Sequence, residues 1–284
     1  MGIVIDGKAL SARVKDEVKA RAAEFERERG RKVGLAVVKV GDDPASAIYV
    51  RNKIRACEAC GILSFSYCFD GGEKQSAVIE LIDALNADKR VDGILVQLPL
   101  PKHIDEKAVL ARISPAKDAD GFHTVNAGNL FLGGDATGHI ACTPRGIIEL
   151  IKSTGEPICG KRAVVVGRSN IVGKPVAMLL LQNDATVTVC HSRTKDLKEI
   201  TRTADILVAA VGKKHIITAD MVKRGATVID VGMNRDDSGL YGDVDFDGVK
   251  EIAGYITPVP GGVGPMTIAM LLANTVEGAF SRNE

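Results

Sequence analysis

Apolar residues recur with helical spacing over residues 9–29. Leu10, Val14, Val18 and Phe25 form one stripe, charges fill the other faces, and Gly30 is placed to end the helix. Residues 33–40 are a short apolar run of strand length. Asp43-Pro44 then offers a capping side chain followed by a proline suited to the first helical position, with Gly61 as the stop. A strand over 62–69, a helix over 73–86 and a strand over 93–97 follow. Leu98-Pro99-Leu100-Pro101 ends that strand, because proline has no N–H for a ladder. Residues 105–112 read as a shorter helix.

A polar, glycine-rich stretch over 114–138 separates this series from a second one. Thr143-Pro144 opens a helix ending near Ser153, and strands at 163–166, 186–189, 206–209, 227–231 and 255–257 alternate with helices at 174–183 and 197–203. Continuous apolar strands separated by helices predict a parallel sheet covered on both faces. The last helix, 266–280, is apolar on most sides and is expected to be buried, packing back on the first domain. The fold class is α/β with two domains: residues 1–141 joined by the C-terminal helix 265–284, and residues 142–264.

Composition narrows the function classes. The 284 residues carry 37 Lys plus Arg against 36 Asp plus Glu, a formal net charge of +1, with 45% hydrophobic residues. This is globular composition without the basic excess of a general nucleic-acid binder. No apolar run approaches the roughly 18 residues of a membrane span, and the start lacks the pattern of a secretory signal. A soluble cytoplasmic protein is expected, with no nucleic acid and no membrane as partner. The six cysteines then read as reduced thiols. Cys57 and Cys60 form a C-x-x-C inside a helical pattern without a second ligand pair, so no metal site is proposed.

Residues 163–175 are a strand, a turn and a helix entrance, where backbone N–H groups can hold a pyrophosphate. Gly167 suits the tight turn and Gly173 close packing. Ser169 stands where G-x-G-x-x-G has its second glycine, and the third glycine comes late, so a structural turn without a ligand stays open. The next strand runs into Cys190-His191-Ser192-Arg193-Thr194 and carries no acid for a ribose 2′-hydroxyl. Ser192, Arg193 and Arg168 suit a 2′-phosphate instead, which favours NADP over NAD. The alternative is that both arginines are ordinary surface residues.

In the first domain Ser46, Tyr49 and Lys53, at i, i+3 and i+7, share one helical face. That face is either a site centred on Lys53 or a solvated lysine beside a half-buried tyrosine. Gln97 lies at the carboxyl end of a parallel strand, where open α/β sheets form ligand clefts. Asp118 and Asp120 precede Gly121; a carboxylate there is either a paired acceptor for a cyclic amidine edge or a turn-former. His123 and His191 are assigned no role. Residues 257–267 form a glycine-rich approach to the last helix, open to a planar ligand.

Taken in order, Tyr49-Val50-Arg51-Asn52-Lys53, Gln97-Leu98-Pro99-Leu100-Pro101, Lys117-Asp118-Ala119-Asp120-Gly121, residues 167–175, Asp230-Val231-Gly232-Met233-Asn234 and residues 260–267 resemble the bifunctional methylenetetrahydrofolate dehydrogenase/methenyltetrahydrofolate cyclohydrolase family. The resemblance implies a folate-binding catalytic first domain, a Rossmann-type second domain that binds NADP, a cleft between them, and a homodimer. It implies that Lys53 is the catalytic lysine supported by Gln97, that Tyr49 lines the folate site and Asp120 binds the pterin, with Gly262 and Thr267 bordering the cleft. Gly167, Arg168, Ser169, Ser192 and Met233 match cofactor-contacting positions. Arg55 departs from the family, which commonly has a second lysine there.

The implied reactions are NADP-dependent oxidation of 5,10-methylenetetrahydrofolate to 5,10-methenyltetrahydrofolate, then hydrolysis to 10-formyltetrahydrofolate. Hydride loss yields a delocalised cation, so positioning should govern the first step. Hydrolysis needs one group that takes a proton from water and returns it to a ring nitrogen. A lysine can do this when its setting is desolvated or cationic, and the methenyl cation is such a neighbour. The competing readings are an NADP-dependent dehydrogenase of another small metabolite and a non-catalytic NADP-binding sensor.

Overall fold

The computed structural model describes residues 1–133, 139–237 and 239–282, with the backbone alone at 44–47. The chain begins with β1 (Ile3–Val4), α1 (Gly7–Arg29), β2 (Gly34–Val40), α2 (Pro44–Ala59), β3 (Leu63–Phe69), α3 (Gln75–Ala87) and β4 (Gly93–Val96). It continues through α4 (Glu106–Arg112), α5 (Thr124–Leu132), α6 (Cys142–Lys152), β5 (Arg162–Val166), α7 (Gly173–Gln182), β6 (Thr186–Cys190) and α8 (Leu197–Thr201). It ends with β7 (Ile206–Ala209), β8 (Thr227–Asp230), β9 (Asn234–Asp236), β10 (Gly239–Tyr241), α9 (Phe246–Lys250), β11 (Tyr255–Ile256) and α10 (Val263–Ser281).

Two compact units result. One holds Arg13–Cys142 with the chain from Ile268 onward; the other holds Met1–Ala12 and Thr143–Thr267. The first is built on a three-stranded parallel sheet, order β3-β2-β4, in register from Gly34↔Leu63 to Val40↔Phe69 and from Leu35↔Gly93 to Val38↔Val96. β2 is apolar and buried along nearly its whole length because neighbours cover both faces. Helix α3 turns Val78, Ile82 and Leu85 onto this sheet. Each fully buried apolar side chain of this size contributes roughly 1.5–3 kcal/mol.

The C-terminal helix packs into this three-stranded unit. The Phe25 and Phe280 rings meet edge to face at 5.3 Å. Buried Asp92 takes two hydrogen bonds from Arg31 (2.9 and 3.0 Å), one from Gly34 N–H (2.8 Å), and a further ion pair from Arg282. By length and mean hydropathy α10 also matches a membrane span, which corrects the sequence expectation that no stretch does. In the protein 67% of that stretch is buried.

The second unit has a six-stranded, all-parallel sheet of order β1-β11-β8-β7-β5-β6. Its centre, β5, β7 and β8, is buried apart from Arg162, and apolar apart from Arg162, Thr227 and Asp230. Val164, Val166, Leu207, Val228 and Ile256 share one core cluster. The edge strand β1 has two residues, paired Ile3↔Tyr255 and Val4↔Ile256, too short to show in a hydrophobic pattern.

Several elements differ from the sequence expectation. The stretch 114–138, read as polar connection, contains α5, which is capped by His123: its Nδ1 accepts from Val125 N–H (3.1 Å). Apolar Val125, Phe131 and Leu132 of this helix face solvent, so no buried stripe announces it. Residues 134–138 of that stretch lie outside the described residues. The hairpin of β9 and β10 and the one-turn helix α9 also carry too few apolar positions to be periodic.

Candidate active site

Helix α2 carries Tyr49 and Lys53 one turn apart. Lys53 is only 9% exposed, and its Nζ donates to Gln97 Oε1 at 3.0 Å. Gln97 extends the β4 ladder by one residue, donating its N–H to Val38 O (2.8 Å), and then leaves the sheet. Its own amide is oriented by Nε2 donating to Leu98 O (2.7 Å), so Oε1 is fixed toward the lysine. Tyr49 is 37% exposed and presents ring surface to solvent. Ser46, the third member of this face, has its side chain outside the described residues. Cys57 is fully buried one turn further on; burial above all, and Cys60 beside it, push its thiol up to about 12, which makes it inert.

Asp120 lies in the same unit, close enough for its carboxyl to feel the Lys53 charge. Loss of water pushes that carboxyl up to about 6; Lys53 opposes the shift, Asp118 adds to it, and a hydrogen bond with Cys142 opposes it. Asp118 is instead a buried turn residue: its Oδ2 accepts from His123 N–H (2.7 Å) and Asn126 Nδ2 (2.8 Å). Cys142 and Asn274 were invisible to sequence reasoning as supports of this turn. Cys142 Sγ donates to Ala119 O (3.2 Å), and Asn274 Nδ2 donates to Ala119 O (2.9 Å) and Ile140 O (2.8 Å). A buried asparagine in an otherwise apolar helix is the one signal that could have pointed there.

In the six-stranded unit, β5 is followed by Gly167, whose φ of +131° lies where side chains are disfavoured. A Cβ there would collide with the Ala210 carbonyl, and one at Gly173 would lie 2.6 Å from the Gly167 carbonyl carbon. The turn therefore closes tightly against the start of α7. Ser169 Oγ accepts from Val172 N–H (3.2 Å) and Gly173 N–H (3.3 Å), meeting two helix-start amides itself. Arg168 and Ser169 are exposed.

After β6, exposed Ser192 and Arg193 sit in a turn closed by Thr194 N–H donating to His191 O (2.8 Å) and His191 N–H donating to Thr194 Oγ1 (2.8 Å). Met233 is exposed just past β8. Glycine cradle, exposed cations and a turn free of carboxylates fit a dinucleotide bearing a 2′-phosphate.

Gly262 and Thr267, which the resemblance places at the border of a cleft, belong to the six-stranded unit. Gly262 N–H donates to Pro258 O (2.9 Å), and the Thr267 and Thr143 hydroxyls are 2.9 Å apart. Lys53, Gln97 and Asp120 are thus brought together in one unit, and Gly167, Arg168, Ser169, Ser192, Met233, Gly262 and Thr267 stand in the other.

Two family models match the chain in tandem. Residues 5–120 match the tetrahydrofolate dehydrogenase/cyclohydrolase catalytic domain, and residues 141–283 match the NAD(P)-binding domain of the same name. The bifunctional protein FolD of Ralstonia pickettii is 60% identical over 277 residues, 97% of this chain and 95% of that one. The crystal structure of the bifunctional dehydrogenase/cyclohydrolase FolD from Campylobacter jejuni has a TM-score of 0.97 at 50% identity, with all of both chains covered. The Trypanosoma brucei enzyme, solved with NADP and an inhibitor, has a TM-score of 0.93 at 42% identity, covering 99% of this chain and 98% of that one. Two family matches in tandem, and relatives alike over almost their whole length, place this chain in the tetrahydrofolate dehydrogenase/cyclohydrolase family.

Proposed function

We propose that this protein oxidises 5,10-methylenetetrahydrofolate to the methenyl form with NADP and hydrolyses that product to 10-formyltetrahydrofolate. The observation that carries the reading is the buried Lys53 Nζ, held 3.0 Å from Gln97 Oε1, in the same unit as the desolvated Asp120. Full-length similarity to bifunctional FolD proteins disfavours a dehydrogenase of another metabolite or a non-catalytic sensor.

The three-stranded unit binds the folate. Asp120, once ionised, accepts paired hydrogen bonds from the amidine-like edge of the pterin, and Tyr49 offers a ring face to a planar ligand. Lys53 Nζ, in its free-amine form beside the methenyl cation, takes a proton from the attacking water and returns it to the ring nitrogen as the bridge opens. Gln97 keeps Nζ on that line, so a single amine serves both transfers.

The six-stranded unit binds NADP. Gly167 lets the backbone approach the pyrophosphate, Ser169 holds the helix entrance, and Met233 flanks the nicotinamide end. Arg168 and Ser192 bind the 2′-phosphate, which selects NADP over NAD. Bound NADP supplies the hydride acceptor for the oxidative step.

The protein works as a soluble cytoplasmic homodimer. The edge strand β6, with Thr186, Thr188 and Val189 exposed, supports pairing with a second copy. A coupled assay following NADPH and the methenyl chromophore together tests the whole reading. NADPH should accumulate with methylenetetrahydrofolate and the methenyl signal should then decay faster than in buffer. Absence of both signals refutes the proposal.

A further inference from the structure

Asp230 and Asp243 are buried in the six-stranded unit, 3% and 0% exposed, and among the described residues neither has an ion-pair partner. Two acids without a cation are costly to bury unless hydrogen bonds replace the lost water. Here backbone N–H groups do so. Asp230 accepts from Gly232 N–H (3.0 Å), Asp243 N–H (2.8 Å) and Val244 N–H (3.0 Å), and its own N–H donates to Thr257 Oγ1 (2.8 Å).

Asp243 gathers a different set. It accepts from three consecutive amides, Val211 (2.7 Å), Gly212 (3.0 Å) and Lys213 (2.7 Å), and from Asn234 Nδ2 (3.0 Å). The first three belong to the segment leaving β7, and Asn234 opens β9 directly after the segment, ending in exposed Met233, that leaves β8. Both segments lie at strand carboxyl ends, where a parallel sheet receives its ligand. Gly212 has a positive φ of +66° and open space around the position of a Cβ, so no side chain stands between that stretch of backbone and a ligand.

We infer that Asp243 is a positioning residue for NADP: one carboxylate ties the Val211–Lys213 amides to Asn234 and so fixes the two segments that the dinucleotide meets. Asp243 touches no ligand itself, being fully buried. The inference rests on the NADP-binding reading above. Asp230 sets Asp243 in turn, through the hydrogen bond from the Asp243 N–H and through the neighbouring Val244.

The test compares the wild-type enzyme with Asp243→Asn and with Asn234→Ala, which removes only one of the four bonds and keeps the question open should Asp243→Asn fail to fold. Three readouts are taken: KM for NADP in the dehydrogenase assay, NADP affinity by calorimetry, and hydrolysis of preformed methenyltetrahydrofolate. Loss of one buried acceptor should raise KM and Kd for NADP about tenfold in Asp243→Asn, and less in Asn234→Ala. Methenyl hydrolysis, which uses no dinucleotide, should stay within about twofold of wild type. Unchanged NADP affinity in a folded variant overturns the inference, as does an equal fall of both activities, which marks a general loss of structure. A wild type that binds NADP but does not oxidise methylenetetrahydrofolate refutes the proposed function, and the calorimetric comparison still decides the role of Asp243.

Discussion

Replacing Gln97 by leucine removes the oxygen that accepts from Lys53 Nζ, at similar side-chain volume. The bond is 3.0 Å long, its donor is 9% exposed, and Gln97 cannot easily turn away because Nε2 is engaged by Leu98 O. A hydrogen bond from a charged donor in such a setting contributes about 1.5–3 kcal/mol. At about 1.4 kcal/mol per factor of ten, methenyl hydrolysis should slow by roughly 10- to 150-fold. Lys53→Met removes the proton carrier itself and should cost about 10²- to 10⁴-fold. If Gln97 acts only through Nζ, the double variant should hydrolyse no more slowly than Lys53→Met alone, giving a coupling of about 1.5–3 kcal/mol. Single-turnover decay of the methenyl absorbance measures all four proteins. Urea unfolding checks that Gln97→Leu remains folded. Multiplicative losses in the double variant would refute the argument that the glutamine works by placing the amine.

Three further outcomes are expected. Arg168→Ala should raise KM for NADP by about tenfold while leaving KM for NAD within about twofold, since only the former carries the 2′-phosphate; parallel changes would exclude this arginine as its ligand. Asp120 is protonated in the free protein below about pH 6, because burial raises its carboxyl; folate affinity should therefore fall as pH drops through that value, and Asp120→Ala should be weak and flat across it. A calorimetric titration series from pH 5 to 8 showing identical profiles for both proteins would contradict the pterin role. Gly173→Ala pushes a methyl against the Gly167 carbonyl. Overpacking of about 1–3 kcal/mol should lower Tm by roughly 2–12 °C and weaken NADP binding, and a melting curve that does not move would show that the turn has slack.

Where the chain packs apolar residues on both sides of a strand, the sequence was a good guide. The run 206–209 is β7 to the residue: four buried positions lie between half-buried Asp205 and Ala210. Helix α1 starts two residues before its predicted position, a difference of the size usual at helix ends. Elements held by one or two bonds to distant residues were not legible: β1 exists only because Tyr255 and Ile256 offer it partners. The site follows the same rule. Helical spacing put Tyr49 and Lys53 on one face, and the proline turn marked Gln97 as a strand-end residue. Nothing local announced that Gln97 and Lys53, 44 positions apart, would meet. Asp230 stood out only as part of the family motif and Asp243 not at all, since a carboxylate that binds backbone amides leaves no partner charge in the sequence to betray it.

The way the two ends of the chain are shared has a consequence for biosynthesis. Met1–Ala12 completes the unit built mainly from Thr143–Thr267, while the segment from Ile268 onward completes the unit built mainly from Arg13–Cys142. As the polypeptide emerges from the ribosome, its first strand has no partner until Tyr255 and Ile256 are made, and Asp92 waits for Arg282, nearly two hundred codons later. Vectorial folding can therefore raise the interior of each lobe early, but sealing one waits for Tyr255 and Ile256 and sealing the other for Arg282.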